Sequence, residues 1–173
     1  REEVYAEHLE SRTPPSHRPA PRILEAQPVH AGQEALAYDA LVRRHGWLLN
    51  LPFVQMVSRR HGHRPALRVV DLGTGPGWVP IRLAQAHPDW EFWAVDISAD
   101  MLDLGRRHAR EAGVAGRVHF VRADATCLPF ESGLFDLALS HFFLHHLERP
   151  EDLFQEAARV LRPGGAAMIK DLH

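Results

Sequence analysis

Short apolar runs alternate with longer segments of helical periodicity from residue 66 onwards, and this alternation most constrains the fold. Each apolar run has the length of a buried strand, and the runs are residues 66–72, 91–97, 117–124, 134–140 and 166–172. Between them, apolar residues recur at helical spacing in residues 78–87, 98–112 and 150–161. Such alternation favours parallel strands with right-handed crossovers. We therefore expect an α/β fold, a doubly wound, Rossmann-like and mostly parallel sheet with helices on both faces.

The first 65 residues differ in character from the rest of the chain. Residues 1–30 contain five prolines and predict an extended arm. Residues 31–65 carry apolar residues at roughly helical spacing around a break near Pro52, which predicts two helices. The expected organisation is thus an N-terminal arm (1–30), N-terminal helices on the substrate side (31–65) and a ligand-binding core (66–173).

The net charge, the single cysteine and the lengths of the apolar runs limit which partners and which cellular compartment are expected. The formal net charge is only -2, so neither nucleic acid nor an anionic membrane is an expected partner. A single cysteine, Cys127, excludes an internal disulfide and fits a reducing compartment. No apolar run reaches the roughly 18 residues of a spanning helix, and no signal peptide is visible at the start. These features predict a cytoplasmic protein.

A glycine-rich turn follows the first predicted strand in "VVDLGTGPGWVP", residues 69–80. Gly73, Gly75 and Gly77 would let a ligand lie against bare backbone at a helix N-terminus. A dinucleotide site would show G-x-G-x-x-G around a pyrophosphate, but here the third glycine comes one residue early. Asp71 would also repel that anion by roughly 4 kcal/mol at about 4 Å and an effective dielectric near 20. The turn therefore favours a ligand with a cationic end, although a purely structural turn is the alternative.

Two further acids follow the next two strands. Asp96 ends the second strand, where a carboxylate can accept both hydroxyls of a ribose. Asp124 ends the third, where it can accept from an exocyclic amino group such as that of adenine. A cation, a ribose and an adenine together describe S-adenosylmethionine. The alternatives are that Asp96 caps the next helix together with Ser98, and that Asp124 only closes a turn.

At this point the sequence resembles the class I S-adenosylmethionine-dependent methyltransferases. Five segments carry the resemblance, which spans about residues 66–171: "VVDLGTGPG", "WAVDIS", "VRADATCLPFESGLFDLALS", "LHHLERPEDLFQEAARVLRPGG" and the predicted strand that follows the last of these. The series is most similar to the branch that methylates small molecules, including quinone precursors and other natural products. The resemblance implies transfer of a methyl group from S-adenosylmethionine to a small-molecule acceptor, leaving S-adenosylhomocysteine.

The same resemblance implies roles for individual residues. It assigns the methionine end to Asp71 and the three glycines of the turn, and the ribose to Asp96. The remaining implied cofactor contacts are Ile97 and Met101 beside the adenine, Asp124 and Ala125 at the base edge, Ser140 near the cofactor backbone, and Tyr38 from the preceding helices. The resemblance carries over no universal catalytic side chain. A non-catalytic S-adenosylmethionine-binding or assembly protein of the same fold is the alternative function.

The histidines after the fourth strand raise two further hypotheses. His141 directly follows that strand and is the candidate general base, because an imidazole titrates in the range useful for deprotonating a hydroxyl; packing is the competing interpretation. His141 and His145 are also spaced as a metal pair would be on a helix, but no third ligand stands at a motif spacing, so no metal is expected. Asp136, inside the fourth strand, is interpreted as structural.

The fifth predicted strand, residues 166–172, is apolar and lies close to the last residue given, His173. The methyltransferase fold normally adds a helix and two more strands after this point. We therefore expect either a truncated chain or a partner, such as a second copy in a homodimer, that covers this edge.

Overall fold

The computed structural model of the protein describes residues 33–171. The predicted arm, residues 1–30, lies outside the described residues, as does the end of the predicted fifth strand. The elements, in chain order, are α1 (Gln33–His61), β1 (Arg68–Leu72), α2 (Trp78–Ala86), β2 (Glu91–Asp96), α3 (Ala99–Glu111), β3 (Val118–Arg122), β4 (Phe135–His141), a 3₁₀ turn (Leu144–His146), α4 (Pro150–Val160) and β5 (Leu161–Lys170).

Five strands form one parallel sheet in this part of the chain, in the order β3-β2-β1-β4-β5. The chain builds outward from β1 on one side through β2 and β3, and then returns to add β4 and β5 on the other side. This reversal of direction lies between β1 and β4, and ligands of open α/β sheets bind at the carboxyl ends of the strands at such a point. The predicted fold class is confirmed.

Helices cover both faces of the sheet. Neighbouring residues of a strand point to opposite faces, so adjacent strand residues pack against different helices. Val69 of β1 belongs to a core cluster shared with α1, α2 and α3. Val70, the next residue, belongs to a second cluster shared with α4. The strands are therefore apolar on both sides, as expected for a buried parallel sheet.

The two helices predicted over residues 31–65 are one helix, α1, with Pro52 inside it. The prediction of a break was therefore wrong. A proline inside a helix removes one hydrogen bond and crowds the preceding turn, which costs about 3 kcal/mol, and a helix continues through it where packing offsets that cost. Phe53, Val54 and Val57 directly after it are buried against the sheet. Burying a side chain of that kind stabilises by about 1.5–3 kcal/mol, so packing of the turn after Pro52 offsets the cost.

Two strand boundaries also differ from the predicted ones. β5 begins at Leu161, directly after α4, and its pairing with β4 shifts register between Phe135 and Leu137. The "RPGG" segment, residues 162–165, thus lies within an irregular start of the strand instead of separating it from α4. β3 ends at Arg122, two residues before Asp124, because the chain turns there and forms an isolated bridge between Asp124 and Cys127.

Asp136 holds the amino ends of three strands together. Its Oδ2 accepts a hydrogen bond of 2.8 Å from the backbone N–H of Arg68 at the start of β1. Its Oδ1 lies 3.6 Å from the guanidinium of Arg64 and also contacts that of Arg162 in β5. These contacts are structural and lie at the end of the sheet remote from the glycine-rich turn.

None of the helices between residues 33 and 171 combines the length and the apolar character needed to cross a bilayer. Over the same residues, no group of three or more histidine, cysteine or acidic side chains is arranged to hold a metal ion.

Candidate cofactor-binding site

The glycine-rich turn lies between the carboxyl end of β1 and α2. The backbone N–H groups of Gly73 and Thr74 both donate to the carbonyl of Val95 in β2, at 3.0 and 2.9 Å. Gly73, Gly75 and Gly77 all have positive φ, at 71°, 54° and 77°, a region that favours glycine. A Cβ built on Gly75 would meet nothing within 4 Å. The turn is therefore open at Gly75, where a ligand can approach the backbone.

The other two glycines make room for aromatic side chains of the protein itself. A Cβ on Gly73 would lie 2.2 Å from Cγ of Phe143. A Cβ on Gly77 would lie 2.8 Å from Cε1 of Phe120. Gly77 also caps α2. The turn is thus packed against β3 on one side and against the loop after β4 on the other.

Asp71 lies beneath the turn and is almost fully buried. Its Oδ2 accepts a hydrogen bond of 2.6 Å from Oγ1 of Thr74. Burial raises the pKa of its carboxyl group to about 7, because the charged form loses its hydration; the hydrogen bond from Thr74 opposes this and the charge of Asp96 adds to it. A ligand cation placed beside Asp71 would compensate that cost.

Asp96, the last residue of β2, faces the same turn. Its Oδ2 accepts a hydrogen bond of 2.8 Å from the backbone N–H of Gly75, and its Oδ1 accepts one of 2.9 Å from that of Ser98. Burial raises the pKa of this carboxyl group, while the hydrogen bonds and the nearby His146 oppose the rise. Each carboxylate oxygen has a second lone pair, so Asp96 can still accept from a pair of ligand hydroxyls.

Ile97 and Met101 follow Asp96 at the start of α3. The side chain of Ile97 is 54% exposed, an unusual position for a large apolar residue directly after a buried strand. Met101 is buried beside Leu104, and its backbone N–H donates to Oγ of Ser98, which is the N-cap of α3 as predicted. Only Ile97 of the two thus offers an apolar surface to solvent or to a ligand.

Asp124 and Ala125 lie in the turn after β3. Oδ1 of Asp124 accepts from the backbone N–H and the hydroxyl of Thr126, at 2.8 and 2.7 Å. Asp124 is exposed and Ala125 is buried. The turn-closing role considered for Asp124 is therefore present, and the carboxylate still borders solvent.

Ser140 and Tyr38 were the remaining expected cofactor contacts. Ser140 is buried in β4, and its hydroxyl donates to the carbonyl of Leu72 in β1 at 3.0 Å, so it links the two strands at the point where their order reverses. Tyr38 belongs to α1, and its side chain lies outside the described residues.

His141 ends β4, and the helical spacing assumed between it and His145 is absent because a strand end and a 3₁₀ turn separate them. The His141 ring stacks on Phe53 at 4.6 Å and lies 4.0 Å from the ring of Phe142. Its Nε2 is buried without a hydrogen-bond partner in the described structure. Burial, together with the charge of Lys170, lowers the pKa of His141 to about 4, against the smaller opposing effect of Asp171. These features are those of a packed aromatic side chain.

The structure joins His145 to Asp171, a pair that sequence reasoning missed. Nδ1 of His145 lies 2.7 Å from Oδ1 of Asp171, and the backbone N–H of His145 donates to Oδ2 at 2.9 Å. The ring of His145 lies 4.0 Å from that of His146, whose charge acts on Asp96. The sequence offered one indication of this pair: both residues follow strands that were predicted for the same sheet, β4 and β5, so both lie at its carboxyl edge.

The donor and acceptor chemistry of this edge fits S-adenosylmethionine. Asp71 and Asp96 present carboxylates, the groups that would pair with an ammonium and accept from a ribose, and the hydrogen bond between Gly75 and Asp96 connects the turn to the end of β2. A Cβ on Gly75 would meet no atom within 4 Å, and the side chain of Ile97 is exposed, so the protein itself blocks neither position. No buried lysine or arginine of the kind that binds phosphate is found among these residues.

Comparison with known proteins agrees with this chemistry. Residues 69–165, more than half of the chain, match a family described as a methyltransferase domain. The ubiquinone/menaquinone biosynthesis C-methyltransferase UbiE of Ectopseudomonas mendocina (strain ymp) is 38% identical over 109 residues, which are 62% of this chain and 43% of that protein. UbiE of Stutzerimonas stutzeri (strain A1501) is 35% identical over 117 residues, 67% of this chain and 44% of that protein. The chain therefore matches less than half the length of these curated relatives.

Solved structures give the same result for the fold. A protein assigned as an S-adenosyl-L-methionine-dependent methyltransferase of Methanococcus maripaludis superposes with a TM-score of 0.74 at 26% identity, covering 79% of this chain and 62% of that one. The [4+2]-cyclase SpnF superposes with a TM-score of 0.64 at 28% identity, covering 68% and 43%. The chain belongs to the class I S-adenosylmethionine-dependent methyltransferase family, as the resemblance in its sequence predicts.

Proposed function

We propose that this protein transfers a methyl group from S-adenosylmethionine to a small-molecule acceptor. The observation that carries the proposal is the hydrogen bond of 2.8 Å from Gly75 N–H to Asp96. It brings the bare backbone of the turn and a ribose-accepting carboxylate into one site. The cofactor supplies a methyl group activated by its sulfonium, so the protein contributes mainly orientation and exclusion of water.

In this proposal, Asp71 binds the cationic end of the cofactor and Asp96 accepts from its ribose hydroxyls. Ile97 contacts one face of the adenine, which would cover its exposed apolar side chain. Asp124 accepts from the edge of the base through the oxygen that does not close its own turn. Met101 and Ser140 act indirectly, because both are buried and hold α3 and β4 in position.

We propose His145, oriented by Asp171, as the general base in place of His141. A carboxylate can only accept, so the Nδ1 of His145 that faces Asp171 carries a hydrogen and Nε2 carries the lone pair. Asp171 also stabilises the positive charge that the ring gains when a proton moves from an acceptor hydroxyl to Nε2. His141 is less suited, because its Nε2 is buried and its low pKa makes it a weak base.

A base of this kind favours an acceptor with an ionisable hydroxyl group. The UbiE relatives are named for ubiquinone and menaquinone biosynthesis and for C-methylation, so hydroxylated aromatic compounds are the first acceptors to test. Deprotonation of a ring hydroxyl would activate either the oxygen itself or a neighbouring ring carbon, and the position of the methyl group in the product distinguishes the two.

Calorimetric titration with S-adenosylmethionine and S-adenosylhomocysteine tests the cofactor site. Asp96→Ala is expected to weaken binding at least tenfold, because it removes charge-assisted hydrogen bonds worth about 1.5–3 kcal/mol each. Asp103→Ala is the matched control, since Asp103 is an exposed acid in the following helix, α3, where it pairs with Arg106. Failure of the unsubstituted protein to bind either compound would refute the proposal.

Transfer of a labelled methyl group to a set of phenols and hydroquinones tests the base. His145→Ala is expected to lower the rate about a hundredfold, within the range of general-base catalysis, and to leave S-adenosylhomocysteine affinity unchanged. His119→Gln, at a partly exposed histidine paired with Glu91, is the control and should retain the rate. Equal rates for His145→Ala and the control would exclude His145 as the base.

Binding of S-adenosylmethionine without methyl transfer is the second candidate function. The similarity to SpnF favours it, because that protein is described as a [4+2]-cyclase. It predicts tight cofactor binding with no labelled product from any acceptor of the set.

A further inference from the structure

His108 of α3 lies buried where α1, α3 and the glycine-rich turn meet. Its Nδ1 lies 3.2 Å from the carbonyl oxygen of Pro76, which stands between Gly75 and Gly77 in the turn. Its Nε2 lies 3.3 Å from Oδ2 of Asp39 in α1, and both side chains are more than nine-tenths buried. Trp78, the first residue of α2, stacks on the ring at 4.5 Å. One imidazole thus contacts three segments.

The hydrogen-bond partners of His108 determine where its hydrogens lie. A carbonyl oxygen only accepts, so Nδ1 must donate to Pro76. One hydrogen is shared between Nε2 and Oδ2 of Asp39, which lie 3.3 Å apart. The carbonyl of Pro76 thus fixes Nδ1 as a donor, and the contact with Asp39 orients the opposite ring nitrogen, while Trp78 stacks on the ring.

Asp39 makes a buried contact in the first half of α1. Among the side chains of residues 33–50 that the structure describes, Asp39 alone is buried, whereas Leu36 and Leu48 are exposed. The second half of the helix is instead held by apolar contacts of Phe53 and Val57. The pairing with His108 therefore gives the first half of α1 a specific position relative to α3.

The glycine-rich turn carries few side chains of its own, because three of its residues 73–77 are glycines. Gly75 and Gly77 have positive φ, and a Cβ on Gly75 would meet no atom within 4 Å. The N–H of Gly75 holds Asp96, and the next residue offers its carbonyl to His108. Displacement of Pro76 would consequently move the N–H group that holds Asp96.

We propose that His108 is a positioning residue that couples α1 to the cofactor-binding turn. Asp39 orients the ring of His108, the ring donates from Nδ1 to the carbonyl of Pro76, and the turn is thereby kept in the geometry that binds S-adenosylmethionine. α1 then contributes to cofactor affinity through a residue with no assigned cofactor contact. This inference rests on the proposed function, because it takes the turn to be the cofactor site.

Titration of S-adenosylhomocysteine into variants at Asp39 tests the coupling. Asp39→Leu removes the contact and should weaken binding about tenfold. Asp39→Asn should keep affinity within about twofold, because its amide can donate to Nε2 of a neutral His108 while Nδ1 still donates to Pro76. Such rescue by the conservative variant is not expected if Asp39 merely fills space.

Loss of stability alone is separated from coupling by Asp136→Asn. Asp136 is buried and ion-paired at the opposite end of the sheet, so this variant should lose stability without losing affinity. Unchanged affinity in Asp39→Leu, with stability reduced as in Asp136→Asn, would overturn the inference.

A variant at His108 keeps the test valid if Asp39→Leu does not fold. His108→Gln retains an amide donor where Nε2 stands and loses the donor to Pro76, so affinity should again fall about tenfold, and unchanged affinity would refute the coupling. If the unsubstituted protein binds no S-adenosylhomocysteine, the proposed function fails and this inference fails with it. If it binds and the variants bind equally well, only this inference fails.

Discussion

Replacement of Asp71 by asparagine should stabilise the protein while it damages the cofactor site. The carboxyl group of Asp71 is buried beneath the glycine-rich turn, and burial raises its pKa to about 7 from an ordinary value of 3.8. In Asp71→Asn the amide oxygen still accepts from Oγ1 of Thr74, which lies 2.6 Å from the carboxylate. The substitution therefore removes the charge and keeps the hydrogen bond.

The magnitude follows from the pKa. At about 1.4 kcal/mol per pKa unit, a pKa of about 7 in the folded protein against 3.8 when unfolded corresponds to about 4 kcal/mol, as an upper limit. Between pH 4 and pH 7 the unfolded chain loses this proton and the folded protein keeps it, so the free energy of unfolding falls as pH rises. Above pH 7 both states are ionised and the loss is complete. Asp71→Asn should thus gain about 2–4 kcal/mol at pH 8 and progressively less towards pH 4.

Urea unfolding of both proteins at pH 5, 6, 7 and 8, without cofactor, measures this gain. The difference in the free energy of unfolding should grow with pH up to about 7 and then remain constant. Because a bound cation favours the ionised carboxylate, S-adenosylmethionine should bind the unsubstituted protein more tightly as pH rises from 6 to 7.5 and should release a proton to the buffer at pH 6.5. Stability curves of the two proteins that run parallel from pH 5 to 8 would refute the reasoning.

The remaining predictions concern packing around the site. Gly73→Ala should destabilise the protein by about 2 kcal/mol more than Gly75→Ala in urea unfolding, because both pay backbone strain at positive φ but only the first meets Phe143; equal losses would contradict the close approach of that ring. Asp136→Asn should cost about 1–3 kcal/mol of unfolding free energy by weakening two ion pairs, and a smaller loss in 1 M salt would show that they are solvent-screened. His141→Phe should leave stability unchanged or raise it by about 1 kcal/mol, since it removes a buried unsatisfied nitrogen; a loss above 2 kcal/mol would argue for a hidden partner.

The arrangement of the candidate cofactor residues could be predicted from sequence because these residues follow strand ends at fixed spacing. Asp71, Asp96 and the glycines are local features of β1, β2 and the turns after them, and Ser98 was recognisable as a cap. Their hydrogen bonds confirm that they meet at one edge, although their contacts with a cofactor stay predictions.

The features that could not be predicted depend on contacts between distant parts of the chain. His145 and Asp171 are 26 residues apart and meet at 2.7 Å only because β4 and β5 are neighbours. His108 and Asp39 meet only because α1 continues through Pro52 and packs beside α3. The hypothesis that His141 acts as a base rested on its position at the end of β4 in the sequence. That position does not show that the rings of Phe53 and Phe142 pack against the imidazole.

The ring of Phe143 over Gly73 has a consequence for how this site can diverge among related proteins. Because the ring occupies the volume that a side chain at position 73 would need, the two positions are expected to change together in evolution. A smaller residue at 143 would permit a side chain at 73, and either change would shift the loop that carries His145. On the proposed function, variation in this one contact would change the acceptor side of the site while Asp71 and Asp96 stay in place.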